Sequence, residues 1–129
     1  MKKRDKIEEA YVSFEVGRLL KEKGFNECET RYAETLGNSS NKYITRSSCE
    51  DWEEYVPAPT QQMAMQWLRK KHKLHIEIRT TKCHDFFYVI YGLGKKYFCI
   101  SCEYDKGEYW AEPEEAIEDA LKYILTKVI

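Results

Sequence analysis

The sequence predicts a single α+β domain over residues 1–129. Its order is a helix, a β-hairpin, a second helix, a three-stranded antiparallel meander and a C-terminal helix, with the helices packed on one sheet face. Three observations lead there. Apolar residues recur at helical spacing in three separate stretches. Between residues 74 and 104 the pattern changes to alternating or continuous apolar runs of strand length. Turn-forming residues punctuate the chain between these stretches.

The first helix is expected over residues 14–23, with Val16, Leu19 and Leu20 as its stripe. Ser13 can accept hydrogen bonds from free backbone N–H groups at its start, and Glu15 suits the positive end of the dipole. Gly24 supplies a left-handed stop, with Phe25 placed for the contact that accompanies it. Residues 5–12 share an apolar face with this helix and could extend it backward. A hairpin follows, with strands over 29–36 and 42–46 around the turn-forming run Gly37-Asn38-Ser39-Ser40-Asn41.

Pro57-Ala58-Pro59 breaks the chain before a second helix from Thr60 to about Lys73. Met63, Ala64, Trp67 and Leu68 line its expected apolar face. Residues 74–79 alternate strictly, as a strand with one buried face does. Residues 86–93 are apolar on both faces and read as a central strand, and residues 97–104 return as the third. The final helix spans residues 112–128, with Pro113 at its first position and Glu114, Glu115 and Glu118 in its early turns. Its stripe is Ala116, Ile117, Ala120, Leu121, Ile124, Leu125 and Val128. Leu121 and Ile124 are expected to meet the sheet near Ile76, Ile78 and Trp67.

At 129 residues and 15.4 kDa the chain has the length of one domain, and eighteen aromatic residues can fill its core. No apolar run is long enough to span a bilayer, so no membrane association is expected. Met1-Lys2-Lys3-Arg4 is followed by Asp5, Glu8 and Glu9 rather than an apolar segment, so a cytoplasmic protein with reduced cysteines is expected. The net charge of −1 conceals an uneven distribution. Residues 60–82 carry six basic side chains and one acidic, a net of +5, whereas the segments before and after carry −2 and −4. A sequence pI near 6.3 gives no global attraction to nucleic acid, but a local cationic stretch can attract phosphates.

Cys83-His84-Asp85 has the residue types of a nucleophile, a base and its orienter. Three consecutive residues point in diverging directions, however, so they form no relay by themselves. Cys99 and Cys102 have the spacing of a zinc or redox pair, but in a strand they face opposite sides of the sheet. Gly92-Leu93-Gly94-Lys95-Lys96 lacks phosphate-loop spacing and joins two strands, so it reads as a hairpin turn. No catalytic residue, metal or cofactor is assigned. The strongest positive feature is the run Arg69-Lys70-Lys71-His72-Lys73 with Arg79 and Lys82. Arg69, Lys70, Lys73 and Arg79 are the candidate anion or nucleic-acid contacts. Against this, the acidic residues of the final helix are expected to balance the local charge. The element order from residue 60 to 128 matches a double-stranded RNA-binding domain, yet Glu112, Glu114 and Glu115 stand where that module uses cations.

Ser13-Phe14-Glu15 with Leu19-Leu20-Lys21-Glu22-Lys23-Gly24-Phe25, Ala58-Pro59-Thr60 with Trp67-Leu68-Arg69, and Glu114-Glu115-Ala116 with Ala120-Leu121-Lys122 resemble segments of small proteins encoded by Bacteroidetes phages and prophages. The resemblance implies a fold and a genomic setting but no activity. The expected function is therefore that of a non-enzymatic interaction protein of a phage or mobile element, acting on a host or phage protein. The alternative is a nucleic-acid-binding module that uses the basic end of the second helix.

Overall fold

The computed structural model describes residues 9–26, 28–35, 38–46, 56–94, 97–101 and 108–129. The elements are α1 (Phe14–Glu22), β1 (Thr30–Thr35), β2 (Asn38–Arg46), β3 (Val56–Pro57), α2 (Gln61–His72), β4 (Leu74–Thr80), β5 (Phe86–Gly92), β6 (Phe98–Ser101) and α3 (Pro113–Tyr123). A π-helical turn over Ile124–Val128 continues α3. The strands form two antiparallel sheets, ordered β2-β1-β3 and β4-β5-β6, and the chain is α+β as its sequence predicts.

Local chemistry sets the helix limits. The Ser13 side chain accepts the Val16 N–H at 3.2 Å, which caps α1. At its end Gly24 is left-handed, with φ of 94°. The Gly24 N–H reaches the Lys21 carbonyl and the Phe25 N–H reaches that of Leu20, the paired bonds of a Schellman stop. Residues 10–12 do not prolong α1. They run extended beside residues 59–61, with Val12 N–H on the Pro59 carbonyl and Gln61 N–H on that of Ala10. Those bonds take the backbone groups that a longer helix would need. Residues 5–8 lie outside the described residues.

The hairpin exists, but its reversal lies earlier than expected. β2 begins at Asn38, so the turn-forming run continues into the strand, and Leu36 and Gly37 lie outside the described residues. The register accounts for this: Glu34 pairs with Lys42 and Thr35 with Asn38. Ser39, Ser40 and Asn41 are therefore extra residues, and the irregularity typical of turn formers becomes a bulge inside the strand.

α2 is capped by Thr60, whose side chain accepts the Met63 N–H at 3.2 Å. Its buried face differs from the expected one. Ala64, Trp67 and Leu68 are buried, Met63 is 39% exposed, and Gln61 is buried in its place. Gln61 can be buried because its side-chain amide donates to the Glu114 carbonyl at 2.9 Å and to Glu118 at 3.4 Å.

The core unites Val12, Val16 and Leu20 with Trp67, Leu68, Leu74, Ile76, Tyr88, Ile90, Leu121, Ile124 and Leu125. Leu121 and Ile124 are fully buried in this cluster with Trp67 and Ile76, and Ile78 packs against it at the edge. β5 is the central strand, and the Tyr88 hydroxyl donates to Asp119 of α3 at 3.1 Å. On the other face of the sheet Phe87 is also buried, with Tyr109 set edge-on against it. α1 packs on β3, where Gly17 is required: a Cβ there would lie 2.3 Å from the Pro57 carbonyl oxygen.

Three chain segments meet at Glu118. One carboxylate oxygen accepts the Ser13 backbone N–H at 2.8 Å, and the other accepts from Gln61. The Tyr32 hydroxyl donates to the Val12 carbonyl at the same junction, and burial together with the Glu118 charge raises its pKa. The last turn widens where the Thr126 hydroxyl takes the Lys122 carbonyl at 2.7 Å, a carbonyl that the Thr126 N–H would otherwise use.

Leu121→Ala is expected to lower unfolding free energy by about 2–5 kcal/mol, measured by denaturant titration. Glu118→Ala strands the partly buried Ser13 N–H and should cost about 1–3 kcal/mol. Glu118→Gln keeps an acceptor there and should cost less. Equal losses for the two Glu118 variants would refute the hydrogen-bonding role.

Candidate anion-binding pole

Among the described residues the sharpest concentration of charge is at the C-terminal end of α2. No acidic residue lies in that helix, and Arg69, Lys70 and Lys71 are exposed on its last turn. Lys73 follows in the left-handed conformation, with φ of 56°, and a single residue thereby joins the helix to β4. The Lys73 carbonyl accepts the Leu93 N–H at 2.7 Å, so the helix end, the start of β4 and the connection after β5 meet at one place.

Arg69, Lys70 and Lys73 have no ion-pair partner among the described residues. The helix dipole contributes about −0.5 charge at this end, too little to neutralise three cations. The final helix does not neutralise them either, contrary to expectation. Its acidic first turns lie beside Gln61, where α2 begins, as the bond from Gln61 to the Glu114 carbonyl fixes. The rise of α2 puts roughly 12 Å between Gln61 and Arg69 and roughly 18 Å between Gln61 and Lys73. This is about one and a half to two screening lengths at physiological salt, so the attraction between the two charge groups is largely screened. Among the described residues the C-terminal end of α2 forms a cationic pole.

Arg79 does not belong to this pole. It lies near the opposite end of β4, about 20 Å along the strand from Lys73, and pairs with Glu77 at 3.2 Å. Strand direction separates two charges that a linear reading groups together.

A cleft and a row of rings flank the pole. The cleft, of 240 Å³, lies between α2 and Phe25 and is lined also by Met63, Gln66, Trp67, Lys70 and Lys71. Phe25 meets Trp67 edge-on at 5.4 Å in its floor, and His72 packs on Trp67 at 4.8 Å. On the sheet face away from the helices, His75 stacks on Tyr91 at 6.3 Å and Tyr91 faces Tyr97 at 6.4 Å. Antiparallel register creates this row, since His75 lies opposite Tyr91, which lies opposite Cys99. Burial and the neighbouring Glu77 carboxylate raise the Tyr91 pKa. The sequence shows each ring at alternate positions, but only the pairing register shows that the rings are neighbours.

The other motifs resolve locally. In Cys83-His84-Asp85 the Thr81 hydroxyl accepts the backbone N–H groups of Cys83 and Asp85, and His84 turns the chain with φ of 66°. Cys99 is exposed on β6, while Cys102, Lys95 and Lys96 lie outside the described residues. Among the described residues no three His, Cys, Asp or Glu side chains gather as a metal site, and no helix is long and apolar enough to cross a membrane.

Compared with known proteins, the chain matches no family model, no curated protein and no solved structure.

Reversing Arg69, Lys70 or Lys73 singly to Glu is expected to cost only about 0.3–1 kcal/mol of folding stability, through the lost dipole interaction. Thermal or denaturant unfolding of each variant measures it. A larger loss would mean that these cations maintain the fold and are not a free surface.

Proposed function

We propose that the protein is a non-enzymatic interaction module of a phage or mobile element, and that it grips an anionic partner at the cationic pole. The observation that carries this reading is the separation of charge along α2: three cations without an ion-pair partner among the described residues at one end, and the acidic turns of α3 held at the other. The phage setting rests on the sequence resemblance of the two helix starts and the closing helix. Aromatic and apolar side chains beside the cations support a contact surface, with Leu93 49% and Tyr97 67% exposed at the same end of the sheet. An acidic surface of a host or phage protein carries the required charge, and so does a nucleic acid.

Heparin is a suitable polyanion probe. The protein should be retained on heparin at about 0.15 M salt, and the combined variant Arg69→Glu, Lys70→Glu and Lys73→Glu should pass through. Arg79→Glu, at the far end of β4, should leave retention unchanged. Passage of the unaltered protein, or equal weakening by Arg79→Glu, would refute the assignment of the pole.

A further inference from the structure

We infer that the anionic partner is single-stranded nucleic acid, with phosphates at Arg69, Lys70 and Lys73 and unpaired bases on the ring row His75, Tyr91 and Tyr97. This rests on the reading of the pole as the contact surface and adds the class of partner to it.

Charge complementarity commits the site to a polyanion, and the rings select among polyanions. Three ring systems from three successive stretches of the sheet lie side by side, with centres 6.3 and 6.4 Å apart and planes inclined by 28° and 33°. Tyr97 at the end of the row is 67% exposed, so its ring is open to a stacking ligand. An acidic protein surface uses the cations and leaves these rings unused. Duplex nucleic acid keeps its bases stacked within the helix, whereas a single strand offers a ring face at every nucleotide.

The placement suits a single strand. Lys73 precedes His75 by two residues, and its carbonyl holds Leu93 of the connection that leads to Tyr97. Lys73 therefore adjoins the rings at one end of the sheet, with Arg69 and Lys70 on α2 behind it, on the other face. The single acidic side chain on β4 is Glu77, which pairs with Arg79, so its charge is partly compensated. Phe87, further along the same face, is buried against Tyr109, whose own ring is partly exposed at the far end of the sheet.

Fluorescence anisotropy with oligothymidylate and oligouridylate of about 12 nucleotides tests the inference, the length lying within known site sizes. Binding is expected near physiological salt. Tyr97→Ala should weaken it roughly 5- to 150-fold, as loss of one stacked base predicts, while Tyr97→Phe should preserve it. Each of Arg69→Glu, Lys70→Glu and Lys73→Glu should lower the salt slope by about one unit. Among the described residues two exposed thiols give an independent footprint. Cys99, opposite Tyr91, should alkylate more slowly with oligonucleotide bound, and Cys83, in the turn at the far end of the sheet, at an unchanged rate. Binding that ignores Tyr97→Ala, or that leaves Cys99 unshielded, overturns the inference. Retention on heparin without oligonucleotide binding, or binding of polyglutamate in its place, overturns it while the pole stands. Failure on heparin as well removes both.

Discussion

The carboxylate of Glu118 holds the starts of two helices at once. It accepts the backbone N–H of Ser13, where α1 begins, and the side chain of Gln61, where α2 begins. A negative group suits both positions, because each helix start carries a partial positive charge. The extended pairing of residues 10–12 with residues 59–61 secures the same junction through the backbone. With all three helix starts gathered there, the end of α2 has to lie at the opposite end of the fold. The distance of these cations from the acidic turns of α3 is thus a consequence of how the helices are tied.

The sheet places a second kind of chemistry at that end. β4 leaves the cationic helix after one residue, and β5 returns to finish opposite its start. Each antiparallel reversal brings an outward ring back to the same corner, so residues 75, 91 and 97 become neighbours although they are far apart in sequence. The inner face of the same strands is committed to the core through Ile76, Tyr88 and Ile90. One sheet thus separates packing from surface chemistry by the alternation of its side chains.

Much of the architecture was legible in the sequence because its signals are local. Ser13, Thr60, Gly24 and Pro113 act within a turn of their own positions, and the stripe of α3 repeats often enough to define its buried face. The start of β2 was misplaced because Ser39, Ser40 and Asn41 fit either a turn or a bulge, and the register that decides between them is a long-range property. Met63 and Gln61 exchanged roles for a similar reason: Gln61 becomes a core residue only when Glu114 and Glu118 arrive from another helix. At the candidate site the cationic run of α2 was visible, as was the alternation of β4. The exclusion of Arg79, the distance of the acidic turns and the contact between rings depend on strand direction and pairing, which no window of sequence contains.

The one-residue joint at Lys73 has a kinetic consequence. A helix end connected to a strand through a single left-handed residue, and held by the Leu93 N–H, has no loop in which to hinge. The backbone that carries Lys73 and His75 is therefore set before any encounter, and ordering that joint adds nothing to the barrier for capture. Association at such a surface is governed by long-range attraction and falls as ionic strength rises. Discrimination among ligands of equal charge then appears in how long each stays bound.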